Sequence, residues 1–345
     1  MLKHNRLYME SSENASMKVR FGVIGTNFIV DKVLEAAKLD SRFELAAIYS
    51  RTQEQADLFA KKHNIPHTFT SLEAMASSSL IDAVYIASPN SLHAPQSILF
   101  MQHGKHVLCE KPFASNAREV KEMIAASEKN NVTLMEAMKP SLTPNFSVIK
   151  DHIKEIGQIR RYFSCYCQYS SRYDQLKEGI LLNAFDPKLS NGAVMDLGVY
   201  TIYPMVVLFG RPQRISATGL KLSTGADGQG AVNFEYDGMN ATVLYSKIAD
   251  SSLPTEIQGE EGTITSDRIN IINNVTLKKR GGDESIISTP NPTHEYYYEI
   301  AEFINLIKKG KRESGINSHE NSLITIEIVD EIRKQIDITY PSDNR

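Results

Sequence analysis

From residue 19 onward, two rhythms of apolar positions alternate along the chain. Short apolar runs at residues 19–24, 43–49, 67–69, 83–87, 106–109 and 132–135 read as strands. The stretches between them carry apolar residues at helical spacing, as Phe28, Ile29, Val33, Leu34 and Ala37 do. End signals agree with this reading. Thr52-Gln-Glu-Gln55 matches a capping box, and Asn90 or Ser91 can cap a helix that stops at Gly104. Ser115 can cap the next helix. Strands and helices in strict alternation predict a parallel sheet with helices on both faces.

The rhythm changes after Pro140. A linking helix (145–156) leads to a long strand (158–169), and a helix over 192–209 stops at Gly210. Strands then follow in succession at 214–222, 231–236, 241–248, 255–259, 263–266 and 274–279, with a hairpin signal at Asp237-Gly238. Helices near 294–308 and 320–335 close the chain. The fold class is therefore α/β: a doubly wound first domain (17–140) and a mostly antiparallel α+β second domain (141–345). Residues 1–16 are polar and aperiodic and are expected to form a leader outside the fold.

Length and composition narrow the function. A chain of 345 residues, 41% hydrophobic and 23% charged, is that of a globular protein of about two domains. A net charge of -3 without a basic stripe argues against nucleic acid as a partner. The apolar runs are strand-length, so no membrane span is expected. Cys109, Cys165 and Cys167 are read as reduced thiols of a cytoplasmic protein, and their spacing supports no metal site. Strand alternation places Cys165 and Cys167 on one face.

Candidate chemistry gathers where strands end. Gly25 can make the tight turn after the first strand, and Gly25, Thr26, Asn27 and Phe28 form a degenerate version of the glycine-rich dinucleotide turn. Asn27 stands where a second glycine is usual for close approach to the pyrophosphate; asparagine tolerates left-handed φ better than most residues but carries a side chain. Ser50 and Arg51 end the second strand, where NAD enzymes usually place an acid. A hydroxyl beside a guanidinium suits a 2′-phosphate, which favours NADP and leaves NAD possible. Ser88, Pro89, Asn90 and His93 follow the fourth strand and can line a cofactor edge, although His93 alone reads more simply as a structural histidine. Glu110, Lys111 and Pro112 end the fifth, which points Lys111 into the crevice of an open α/β sheet. Asp196 and Tyr200 lie four apart on one helical face, preceded by the small, open Asn191-Gly192-Ala193. Beside a lysine cation the Tyr200 pKa would fall below about 10.

The motifs G-V-I-G-T, A-S-P-N-S-L-H (87–93), G-K-H-V-L-C-E-K-P (104–112) and G-A-V-M-D-L-G-V-Y (192–200) together resemble the glucose–fructose oxidoreductase/inositol dehydrogenase (Gfo/Idh/MocA) family across nearly the whole chain. The resemblance implies a Rossmann domain followed by a domain with a large open sheet, through which such proteins commonly form homodimers or homotetramers. It assigns Lys111 as the catalytic lysine, places Glu110 near the nicotinamide ribose and suggests a cis Lys111-Pro112 bond. Inositol dehydrogenase-type members read D-x-x-x-H where this chain has Asp196-x-x-x-Tyr200. Tyrosine there, with Phe185-Asp186-Pro187, is similar to the dimeric dihydrodiol dehydrogenase branch. The expected activity is hydride transfer between NAD(P) and a hydroxyl or carbonyl carbon of a sugar, polyol or cyclic diol. Tyr200 would carry the proton, Lys111 would orient the substrate oxygen or carry the proton itself, and Asp196 would bind a hydroxyl or hold the lysine. The alternative is a cofactor-binding sensor without turnover.

Overall fold

The computed structural model describes residues 18–291 and 293–344, so the expected leader lies outside the described residues. Strands β1 (Val19–Ile24), β2 (Phe43–Tyr49), β3 (His67–Phe69), β4 (Ala83–Ile86), β5 (His106–Glu110) and β6 (Leu134–Ala137) form one sheet in the order β3-β2-β1-β4-β5-β6. Every pairing in it is parallel. This is the doubly wound order, whose crevice lies beyond the carboxyl ends of the strands where the order reverses, between β1 and β4. Helices α1 (Phe28–Ala37), α2 (Gln53–His63), α3 (Leu72–Ser77), α4 (His93–Gln102) and α5 (Ala117–Asn130) are its crossovers.

Several helix ends differ from expectation. Thr52 Oγ1 accepts from Gln55 N–H, but the Gln55 side chain accepts from the Ser50 hydroxyl instead of closing the capping box. Asn116, not Ser115, caps α5 by accepting from Glu119 N–H, while Glu119 accepts from Ser115 N–H. Neither Asn90 nor Ser91 caps α4, because a short 3₁₀ turn over Asn90–Leu92 precedes it. β6 begins two residues late: Asn131 at φ 52 ends α5, and Val132 N–H closes back onto Ser127.

Helix α6 (Pro144–His152) leads into the second sheet, reached through β7 (Ile159–Cys167), α7 (Ser171–Lys177) and α8 (Val199–Phe209). Its other strands are β8 (Arg214–Lys221), β9 (Asp227–Tyr236), β10 (Met239–Ser246), β11 (Thr255–Gly259), β12 (Gly262–Ser266), β13 (Val275–Lys279) and β14 (Glu284–Ile286). The order is β14-β13-β12-β11-β7-β10-β9-β8, antiparallel except for β7 beside β10. The short, exposed β14 has no apolar signature in the sequence. Asp237 and Gly238 join β9 to β10, with Gly238 at φ +74.

One face of this sheet packs on α8, whose residues 199–206 are all buried. The stretch Pro187–Phe209 is long and apolar enough by composition to cross a membrane, contrary to the reading of strand-length runs, but most of it is buried within the fold. Two closing helices, α9 (Tyr297–Lys308) and α10 (His319–Gln335), return the chain toward the first sheet. Phe303 of α9 packs on Phe21 of β1 with ring centroids 5.9 Å apart, and Arg42 donates to Asn305 at 2.6 Å. Although it falls in the stretch 141–345, α9 thus belongs to the core beneath the parallel sheet.

Candidate active site

The carboxyl edge of the parallel sheet is built turn by turn. Gly25 sits at φ +116, and a Cβ there would come within 2.6 Å of the Ala87 carbonyl oxygen. Only glycine fits this approach of the β1 turn to the β4 turn. Asn27 is not left-handed, as its φ is -83. Its side chain accepts from Ile29 and Val30 N–H, capping α1, and donates to Ala87 O at 3.0 Å. Asparagine therefore caps the helix and pins the neighbouring turn. Thr26 is exposed, and Phe28 is 57% exposed at the same edge.

Ser50 is buried against Gln55, while Arg51 is exposed. Ser88 donates to Gln96 at 2.7 Å, next to Pro89. Asn90 reaches across to Ser190 O and Asn191 Oδ1, at 2.9 and 2.8 Å, and ties this edge to the second domain. His93 is fully buried, with its ring nitrogens 2.9 Å from the carbonyls of Pro112 and Ser88. It joins the β4 turn to the β5 turn, and burial holds its pKa below the usual value.

The Lys111-Pro112 peptide is cis. Lys111 Nζ donates to the backbone oxygen and Oδ1 of Asp196, at 3.0 and 2.9 Å. It also lies 4.8 Å from the centre of the Tyr200 ring. Lys111, Asp196 and Tyr200, 85 and more residues apart from lysine to helix, thus meet at one place. The expected α-helix around Asp196 is a π-helical turn over Val194–Gly198 that passes into α8. Such turns are rare and often mark functional sites. Gly192 is not open to a ligand, since a Cβ there would lie 2.0 Å from Asp227 Oδ1. Asp227 accepts from Val194 N–H at 2.7 Å and so fixes the start of the turn.

Lys247, at the end of β10, was not anticipated as a site residue. It is almost completely buried and donates to Asp196 Oδ2 at 2.6 Å and to Ala184 O at 3.1 Å. Its Nζ lies 5.0 Å from the Phe185 ring centre. Asp196 therefore bridges two ammonium groups. Burial disfavours its charge, but Lys111 and Lys247 outweigh burial and hold the carboxyl far below its usual range. Burial likewise opposes the Lys111 charge, and the carboxylates of Asp196 and Glu110 overcome it, so the ammonium is firmly held. Tyr200 departs from expectation in the other direction. Burial, then Glu110, Tyr166 and Asp196, push its pKa well above 10. Lys111 cannot reverse this, because it faces the ring and its charge is engaged by Asp196.

Beneath the site lies a set of buried acids. Glu110 accepts from Tyr85 at 2.5 Å and from Lys111 N–H at 3.3 Å. Glu136 and Glu299 are buried, and among the described residues neither has a hydrogen-bond partner of good geometry. Burial pushes Glu136 up to about 8. A carboxyl raised from about 4.3 in the unfolded chain favours folding most below that value and loses its contribution as pH rises toward 8. Glu136→Gln keeps the shape without the charge. Its unfolding free energy should match the parent's at pH 5 and exceed it at pH 8.5 by on the order of 1–3 kcal/mol. Equal pH profiles in calorimetry would refute this.

Among the described residues no group of three or more His, Cys, Asp or Glu could hold a metal ion. The chain is similar to known proteins over nearly its full length. It is 53% identical to scyllo-inositol 2-dehydrogenase (NADP(+)) IolU of Bacillus subtilis, over 94% of this chain and 99% of that protein. It is 29% identical to the trans-1,2-dihydrobenzene-1,2-diol dehydrogenase of Danio rerio, over 95% of this chain and 100% of that one. The solved structure of KijD10, a 3-ketoreductase from Actinomadura kijaniata in complex with TDP-benzene and NADP, superposes with a TM-score of 0.79 at 21% identity. That superposition covers 92% of this chain and 98% of the other. Residues 19–138 match the oxidoreductase family with an NAD-binding Rossmann fold, and residues 149–265 match the GFO/IDH/MocA C-terminal domain. With its parallel sheet, its second sheet and its lysine–aspartate–tyrosine site in place, the chain belongs to the Gfo/Idh/MocA family of oxidoreductases.

Proposed function

We propose that this protein is an NADP-dependent dehydrogenase that interconverts a secondary hydroxyl and a carbonyl on an inositol-like polyol, a sugar or a cyclic diol. One observation carries the reading: Lys111, Asp196 and Tyr200 converge beside the carboxyl edge of the dinucleotide-binding sheet. The nicotinamide supplies or accepts the hydride when bound, and the protein positions the substrate and manages the proton. Gly25, Thr26, Asn27 and Phe28 line the phosphate side, with Ser88, Pro89, Asn90 and His93 shaping the opposite turn. Glu110 and Lys111 stand at the nicotinamide end.

In the reducing direction, a Tyr200 hydroxyl with a raised pKa enters protonated and donates to the developing alkoxide. Lys111, held as an ammonium by Asp196, stabilises that oxygen. Asp196, with its side chain 36% exposed, also offers an acceptor to a substrate hydroxyl. A similarity to a scyllo-inositol dehydrogenase together with this tyrosine makes a polyol substrate compatible with Asp196-x-x-x-Tyr200. Turnover of scyllo-inositol, other inositols, aldoses and trans-dihydrodiols with NADP(+) tests the activity, and no turnover on any of them would overturn it.

The exposed Arg51 at the end of β2 is assigned to the 2′-phosphate. Losing charge-assisted contacts to it costs roughly 1.5–3 kcal/mol, on the order of tenfold to a hundredfold in affinity. Arg51→Ala should weaken NADP binding by that factor in calorimetry and leave NAD unchanged. Equal losses for both cofactors would remove the assignment. The second sheet is assigned to a homodimer or homotetramer contact, and the three unpaired thiols to a cytoplasmic setting.

A further inference from the structure

β7 ends in Cys165-Tyr166-Cys167. The two sulfurs lie 3.6 Å apart and share a hydrogen bond. They line a cavity of about 360 Å³ together with Asp250, Ser251, Asp267 and Arg268. The hydrogen bond shared with Cys167, with Ser251 beside it, holds the Cys165 thiol lower than an ordinary cysteine although the residue is buried. Tyr166, between them, projects to the opposite face and meets Tyr200 edge-on at 5.6 Å. β11 pairs with β7 only as far as Phe163; from Ser164 to Cys167 the strand pairs with β10 on one side, and on the other Ser251 N–H donates to Cys167 O at 3.2 Å and Ser164 Oγ lies 3.0 Å from Thr255 Oγ1.

We propose that Cys165 and Cys167 form a thiol–disulfide switch, in which a hydroperoxide closes an intrachain disulfide that shifts Tyr166 against Tyr200 and slows turnover. The Cys165 thiolate attacks a peroxide oxygen, the O–O bond breaks, and the leaving oxygen takes a proton to give alcohol or water and a sulfenic acid. The Cys167 sulfur then attacks that sulfenic sulfur, and hydroxide leaves as water with the thiol proton. Two thiols and one hydroperoxide give one disulfide, one alcohol or water, and one further water. The sulfurs lose two electrons, and the O–O bond gains them. Same-face residues on an extended strand stand about 6.6–6.8 Å apart. A disulfide needs its Cβ atoms at about 3.5–4.5 Å. Closure must therefore bend the strand at Tyr166, whose ring touches the catalytic tyrosine. The effect on turnover rests on the role assigned to Tyr200, while the disulfide does not.

The test oxidises the full-length protein with tert-butyl hydroperoxide. Free thiols should fall from three to one, and the tryptic peptide 162–172 should lose two hydrogens. Fully buried Cys109 should remain a thiol. kcat should fall several-fold and return with dithiothreitol. Near-UV dichroism, which is free of tryptophan in this chain, should change with it. The double variant Cys165→Ser, Cys167→Ser should match the reduced enzyme in dichroism and kcat and resist the oxidant. Three retained thiols, a disulfide without loss of kcat, or equal loss in the double variant would each overturn the switch. Absent turnover in the reduced enzyme would instead overturn the catalytic reading, with thiol titre and peptide mass still deciding the disulfide.

Discussion

Tyr200→Phe should lower kcat by about 10²–10⁴-fold while the protein stays folded, the usual cost of losing a positioned acid or base. Removing one oxygen leaves the ring packed against Tyr166 and under Lys111. Stability and cofactor affinity should therefore change little. The raised Tyr200 pKa sharpens the expectation. A phenol that remains protonated at neutral pH suits the donor in carbonyl reduction, so the loss should be full in that direction throughout the neutral range. Lys111→Ala should produce a loss of similar size for a different reason, since it removes the cation proposed to stabilise the substrate oxygen. The two variants separate in their pH profiles. If kcat in Tyr200→Phe stays near the parent value, the proton belongs to Lys111 or to water.

Much of this arrangement was legible in the sequence. The parallel pairing of the first sheet follows from the β/α alternation, and the placing of Lys111 follows from its position at a strand end. The convergence with Asp196 and Tyr200 was an inference from motif order, and the structure supplies the distances. What could not be read falls into two kinds. Local competition between caps is one: Asn116 caps where Ser115 was the candidate, and Asn27 caps α1 with its side chain instead of only standing in for a glycine. Long-range pairing is the other. Gly192 is small because Asp227, 35 residues on, occupies the space of its Cβ. Tyr200 is raised first by burial and then by Glu110 and Tyr166 from distant strands, which no local spacing reveals. Lys247 did leave a trace. It is a lysine near the end of an apolar strand run, and a cation in such a setting calls for a buried partner.

Asp196→Asn should be the most disruptive single change for stability. Asp196 neutralises Lys111 on one oxygen and Lys247 on the other. Lys247 has a side chain only 3% exposed, so without the carboxylate it becomes an uncompensated buried cation. Breaking a buried pair by removing one partner costs about 3–5 kcal/mol. The low end applies, because the Ala184 carbonyl and the Phe185 ring still face the ammonium. The pH dependence carries the signature. In the parent, the depressed Asp196 pKa stabilises the fold above the unfolded value of about 3.9 and is lost only as pH falls through the folded value. The variant lacks this contribution, so thermal melts from pH 7 to 3 should show it below the parent at neutral pH, with the gap narrowing as pH falls below about 3.9. Lys247→Met in the same background should restore most of the lost stability at pH 7, since it removes the orphaned charge and keeps the apolar stem. If Asp196→Asn melts with the parent across this range, or Lys247→Met gives no recovery, Asp196 does not hold the two ammonium groups together.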